Sequence, residues 1–200
     1  ETLKAFSEEL PKQFVMEGIN EAHAVGMAAG LAMEGRVVYV NTIATFLTRR
    51  VFEQIAMDVC LHNLPVRFIG NGGGLVYAPL GSTHLAFEDI GMMRTLPNMT
   101  IVCPTDANEM EKFMWQTMDY PGPIYIRLAK GHDPIVTPED HPFEIGKAIS
   151  MREGTDVLLV TTGITLRVAQ AAAEELADSG VSSAILHCPT VKPLDRETLF

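Results

Sequence analysis

The chain has 200 residues, 47% of them hydrophobic and 20% charged, a composition that packs a core and excludes an extended disordered chain. Fifteen Lys and Arg against 25 Asp and Glu leave a formal charge of −10, which removes the broad cationic face a nucleic-acid binder needs. No apolar run approaches the ~20 residues of a bilayer span, and the opening ETLKAFSEELPKQF lacks the basic and apolar regions of a secretory signal.

In chain order, Asn20 is placed to cap a helix running to Met33, and VVYVN at 37–41 reads as a strand. A helix is expected over Leu47 to His62, then strand VRFIG at 66–70, a Gly-rich loop, and strand MTIVC at 99–103. Thr105 and Asp106 open a helix reaching Met118, and PIYIRL at 123–128 is the next strand. The proline-rich stretch AKGHDPIVTPEDHPF then reads as a linker over the surface, 131–145. Beyond it the pattern restarts with strand DVLLVTT at 156–162, a helix from Leu166 to Asp178 stopped by Gly180, and strand SSAILH at 182–187. Short β-branched strands alternating with helices predict the α/β class: an open, mostly parallel sheet with helices on both faces over residues 1–130. Residues 146–200 form the beginning of a second α/β domain, too short to bury a core of its own.

Cys60, Cys103 and Cys188 are widely spaced and odd in number, which argues against a disulfide framework or zinc site and suits a reducing cytoplasm. Glu21, in GINEAHAVGMAAGLA, starts a helix of small and apolar residues. It either complements the helix dipole or, if walled off from water, holds a proton for acid/base work. Phe46 follows the first strand at the carboxyl edge, where open α/β sheets bind ligands, and is either core filler or a stacking platform. Phe52 carries the same two readings. In GNGGGLVYAPLGSTHLAFED the third Gly of a G-x-G-x-x-G pattern is replaced by Leu75, so nucleotide binding is rejected and the loop reads as backbone that approaches a ligand or an interface closely. His84 falls at the expected start of a helix after this loop.

Together GINEAHAVGMAAGLA, TIATFLTRR, GSTHLAFEDIGMMRTLPNM, CPTDANEM and IRLAKG resemble, in order and spacing, the pyrimidine-binding domain of the transketolase family followed by the start of its carboxyl-terminal domain. The likeness is strongest to the separate carboxyl-terminal subunit of split bacterial transketolases. It implies thiamine diphosphate chemistry: transfer of a two-carbon ketol unit between sugars. By that resemblance Glu21 bonds N1′ of the aminopyrimidine and promotes the imino tautomer that takes the thiazolium C2 proton. Phe46 stacks on the pyrimidine, Phe52 is a second wall, and Arg49 stands where relatives carry an aromatic residue or an arginine. His84 lies beside the reacting carbon as proton shuttle or oxyanion support. Lys130 takes the place of a phosphate-binding arginine, with Arg127 close by; for both the alternative is a solvated strand end.

The chain departs from the family pattern at Ala78-Pro79-Leu80-Gly81, where transketolases place an acceptor-binding aspartate, and it has no G-D-G motif for Mg2+ and diphosphate. The resemblance therefore implies that a diphosphate-binding partner subunit holds the Mg2+ and completes the site in a dimer or heterotetramer. It also implies a strand before residue 1 and more of the second domain beyond residue 200. Rival readings are the beta subunit of a 2-oxo-acid dehydrogenase-type decarboxylase, a deoxyxylulose-phosphate synthase, disfavoured by a single histidine at His84-Leu85, and a non-catalytic interaction subunit.

Overall fold

The computed structural model describes residues 3–200. After a short helix α1 (Lys4–Glu9), Asn20 caps α2 (Glu21–Met33) by accepting from the His23 N–H, as its position implies. The small residues of α2 let it lie close on the sheet, where Val25, Ala28, Ala29 and Ala32 are buried. Strand β1 (Val38–Ile43) pairs in parallel with β2 (Val66–Asn71), which pairs with β4 (Ile124–Arg127), and β4 with β3 (Thr100–Val102). Phe68, Ile101, Ile124 and Ile126 are fully buried, as expected of a parallel sheet covered on both faces. All four strands point the same way, so the segments following β1, β2 and β4 emerge at one edge.

The helix expected over Leu47 to His62 is interrupted. The chain forms α3 (Ala44–Thr48), breaks at Arg49 to Val51, and restarts as α4 (Phe52–Gln54), which widens into π-helical turns over Ile55–Cys60. At the break the arginine side chains find partners outside the helix: Arg49 bonds the Ser82 carbonyl at 2.9 Å and Arg50 bonds Glu21. A further helix, α5 (Asp89–Thr95), lies between β2 and β3, and Lys192 donates to the Leu96 carbonyl at its end at 2.6 Å.

A buried carboxyl and a buried guanidinium knit these elements together. Asp89 is fully buried and accepts from the Tyr125 hydroxyl at 2.9 Å and from Arg127 Nε at 2.7 Å, fastening the start of α5 to β4. Burial is the largest influence on Arg127 and opposes its charge, but the Asp89 bond and charge, with Cys103 and Tyr125 nearby, together raise the guanidinium pKa; burial, then Asp89, pushes the Tyr125 phenol well above its usual value. Buried Arg67 on β2 instead donates to the Thr117 and Tyr120 carbonyls at 2.8 and 2.6 Å, within and beyond the last turn of α6 (Ala107–Thr117). Carbonyls at a helix carboxyl end are suited to a cation. Burial lowers the Arg67 pKa.

The linker segment 131–145 runs over the surface as a strap that docks on α6 from Val136 to Ile145. Helix α6 presents a polar stripe toward it: Asp106 accepts from the N–H of Val136 and Thr137, both at 2.8 Å, and Asn108 donates to the Thr137 carbonyl at 2.8 Å. Gln116 donates to the Phe143 carbonyl at 2.7 Å and accepts from the Ile145 N–H at 3.1 Å. Because the strap has no strand or helix to satisfy its backbone, these side chains do so. Fully buried Glu109 has His141 Nε2 of the strap at 2.9 Å and His187 Nε2 at 3.3 Å.

The second part forms a sheet of its own, ordered β5 (Ile149–Arg152), β7 (Ser183–His187), β6 (Val157–Thr161), with α7 (Thr165–Asp178) between β6 and the parallel β7. Gly180, at φ +79°, ends α7, and the Val181 N–H returns to the Leu176 carbonyl at 2.9 Å. Strand β8 (Thr190–Lys192) crosses over and joins the first sheet antiparallel to β3; the chain ends on α8 (Arg196–Leu199). The sequence reading passes over β5 and β8, whose ISMR and TVK mix polar and charged residues with few apolar ones, whereas the equally short β3 and β4 sit in apolar runs.

All three cysteines are buried and free, and burial pushes the Cys60 and Cys103 thiols up to about 12, which makes them inert. No helix among the described residues is long and apolar enough to cross a membrane.

Removing the Asp89 carboxyl by D89A leaves Arg127 and Tyr125 without their partner. It should lower unfolding free energy by about 3 kcal/mol in urea; a loss below about 1 kcal/mol would show that the pair does not hold the loop. Burial alone would raise the Asp106 pKa, but bonds from Val136, Glu109 and Thr137 hold it below the ordinary aspartate value. With the folded value depressed, its stabilisation is full above the unfolded value of about 3.9 and is lost as pH falls through the folded value. The stability gap between wild type and D106N is therefore about 1–3 kcal/mol at pH 7 and shrinks below about pH 4. A pH-independent gap would contradict the assignment.

Candidate functional site

The carboxyl edge of the first sheet collects side chains from three segments. Glu21 comes from the first turn of α2, Phe46 and the arginines from the segment after β1, and His84 from the loop after β2. The Gly-rich stretch is fixed by backbone pairing: the N–H groups of Gly72 and Gly73 bond the Ala129 and Leu128 carbonyls, both at 2.9 Å, and Gly74 and Ala86 bond each other reciprocally. Its glycines serve close approach, but the approaching groups are the chain's own. A Cβ on Gly72 would stand 2.1 Å from the Tyr77 ring, and one on Gly73 2.6 Å from the Arg127 guanidinium.

His84 does not start a helix. The reciprocal bridge to Gly74 keeps the chain extended past Ala86, and α5 begins only at Asp89. The imidazole packs edge-on against Phe46, with ring centroids 5.3 Å apart, and its Nδ1 lies 2.8 Å from the Thr83 hydroxyl. Thr45 donates to the Thr83 carbonyl at 3.0 Å, so α3 and the His84 turn are held together from both sides of Phe46. Arg49 reinforces this by bonding the Ser82 carbonyl and the Glu88 carboxyl. That bond, foremost among its causes, lowers the Glu88 pKa.

Glu21 is nearly covered, its side chain 10% exposed, but its wall is not purely apolar. Arg50 Nη1 donates to Glu21 Oε2 at 2.9 Å, and the same guanidinium lies over the Phe46 ring with Cζ 4.0 Å from the centroid. This corrects the expectation of a carboxyl enclosed by small and apolar groups alone, because an arginine one turn after Phe46 reaches back across its ring. Sequence reading misses Arg50. The i,i+4 spacing from Phe46 is the signal that could have found it.

Glu21, Phe46, Arg49 and His84 are thus brought into one connected cluster. Phe52 is half-buried and packs against the core, the filler alternative left open by the sequence. Arg127 is turned inward onto Asp89 and the Ala86 carbonyl, bracing the loop rather than standing free for a ligand. Lys130 is exposed in the segment after β4. Among the described residues no group of three His, Cys, Asp or Glu is arranged to hold a metal ion.

A nearly buried carboxyl beside an aromatic face suits a flat group that can stack and share a hydrogen bond, and the Arg50 guanidinium takes that place here. Comparison with known proteins gives the family. The model of the transketolase pyrimidine-binding domain matches residues 2–134, and that of the transketolase C-terminal domain matches residues 146–200. The chain is 36% identical over 199 residues to the 6-deoxy-6-sulfo-D-fructose transketolase subunit SqwH of Clostridium sp. (strain MSTE9), covering 100% of this chain and 62% of that protein. It is 38% identical over 199 residues to an apulose-4-phosphate transketolase subunit of Phocaeicola vulgatus, covering 99% and 64%. A solved split-gene transketolase, described as an inactive beta4 tetramer, superposes with a TM-score of 0.90 at 34% identity, over 99% of this chain and 64% of that one. The chain therefore spans somewhat less than two thirds of the length of these relatives. With both family models matched in order and the whole chain aligned to split-transketolase subunits, the chain belongs to the transketolase family.

Proposed function

We propose that this chain is the pyrimidine-binding part of a split transketolase, which transfers a two-carbon ketol unit between sugars together with a diphosphate-binding partner subunit. The observation that carries the reading is the convergence of Glu21 and Phe46 on one flat group, the Arg50 guanidinium, with the His84 imidazole packed against Phe46. Thiamine diphosphate, when bound, supplies the acidic carbon and the electron sink that ketol transfer needs.

Each residue of the cluster has a task set by its surroundings. Phe46, held between Thr45 and the His84 turn, offers a fixed face on which a flat ring stacks. Glu21, shielded from water at the start of α2, bonds a ring nitrogen and orients the ring. His84 is fastened through Nδ1 to Thr83, which leaves Nε2 to exchange a proton with, or donate to, a substrate oxygen. Arg49 keeps the His84 turn in place through the Ser82 carbonyl. Lys130 gives an exposed positive charge on the same edge, suited to an anionic sugar terminus.

The Mg2+ and the diphosphate are assigned to the partner, in a dimer or heterotetramer, and a cytoplasmic location suits the three free thiols. The two relatives named for particular sugars do not fix the sugar here. In the reconstituted enzyme, E21Q should lower turnover about a hundred- to ten-thousandfold while the subunits still co-elute; unchanged turnover would remove Glu21 from the reaction. Calorimetric titration of thiamine diphosphate with Mg2+ should show tight binding to the complex and weak or no binding to this chain alone. Tight binding by the isolated chain would contradict a shared site.

A further inference from the structure

Arg50 is the member of the cluster to which the family likeness gives no task, yet it touches both groups that define the site. Its Nη1 donates to Glu21 Oε2 at 2.9 Å, and its Cζ stands 4.0 Å above the Phe46 centroid. A heteroaromatic ring stacked on Phe46 at van der Waals distance and bonded to Glu21 needs that same volume and that same oxygen. We propose that the Arg50 guanidinium competes with the aminopyrimidine for Glu21 and for the face of Phe46, so that cofactor loading requires Arg50 to swing out. This inference rests on the reading that Glu21 and Phe46 receive the pyrimidine.

Three features support exchange rather than permanent occupation. The Arg50 side chain is 47% exposed, so the displaced cation has water to enter. Among the described residues its one hydrogen bond goes to Glu21, whereas neighbouring Arg49 is held by both Ser82 and Glu88. A guanidinium is planar and weakly hydrated and stacks on aromatic faces, which makes it a closer mimic of a flat ring than a lysine would be.

The bonding roles also differ. Toward Arg50 Glu21 Oε2 accepts a hydrogen bond, whereas toward a ring nitrogen with a free lone pair the carboxyl must donate one. While Arg50 is seated, Oε2 is taken as an acceptor and the guanidinium covers the Phe46 ring. Its departure frees both, and Phe46 exchanges one stacked partner for another without moving. Arg50 thus sets the loading equilibrium of the site.

The test is the apparent Kd for thiamine diphosphate, with saturating Mg2+, measured by calorimetry on the reconstituted two-subunit complex in wild type, R50A, R50K and E21Q. Loss of an exposed ion pair and a cation–π contact that oppose loading should tighten the R50A Kd roughly three- to tenfold. R50K, which keeps the charge and loses the flat stack, should fall between wild type and R50A. E21Q should weaken binding. An R50A Kd equal to or weaker than wild type, with E21Q weakened, overturns the competition and leaves the site reading intact. If neither wild type nor R50A binds the cofactor, or if E21Q binds as well as wild type, the site reading fails and the competition falls with it.

Discussion

The ion pair between Asp89 and Arg127 anchors the loop that brings His84 to the carboxyl edge. Tyr125 and Arg127 lie on the same strand two residues apart, and both reach Asp89, which begins α5. That junction presses the Gly73 backbone against the Arg127 side chain and sets the point from which the chain runs back to His84. A pair this well buried stabilises little against an apolar substitute, but breaking it leaves a charge with no water, so its value lies in fixing one geometry. This junction holds the loop carrying His84 together with the Gly74–Ala86 bridge and a 3-10 turn at Ala78–Leu80.

A second set of polar contacts works the same way on the other side of α6. The strap from 131 to 145 has no ladder to join, and the stripe Asp106, Asn108 and Gln116 supplies the bonds its backbone lacks. Glu109 carries the connection onward to His141 and His187, reaching the second sheet, while β8 returns to the first. The two parts are therefore joined through buried polar groups and one shared strand, not through a flexible tether.

Within this frame the cluster of Glu21, Arg50, Phe46 and His84 is economical in its construction. One aromatic ring carries a planar cation over its face and meets an imidazole in a T-shaped contact, and each neighbour is positioned from a different segment. The interrupted helix after β1 makes this possible. A continuous helix would direct Arg49 and Arg50 by helical periodicity alone, whereas the break at Arg49 to Val51 frees one to hold the Ser82 carbonyl and the other to reach Glu21.

The amino-acid sequence alone determines the alternation of strands and helices, the caps at Asn20 and Asp106, the stop at Gly180, and the motif order that marks the family, because these depend on local periodicity and on short-range bonds between near neighbours. Glu21 and Phe46 are legible for the same reason, since they lie at element ends where a parallel sheet presents its ligand edge, and His84 is legible from its motif in the loop after β2. The tertiary structure alone decides the partners those groups take. That Arg50 rather than an apolar wall faces Glu21, that Arg127 turns inward, that the 131–145 segment is docked, and that β8 crosses to the first sheet all depend on contacts between residues far apart in the chain. No local pattern encodes such contacts, since a charged side chain reads the same in sequence whether its partner is water or a buried carboxyl.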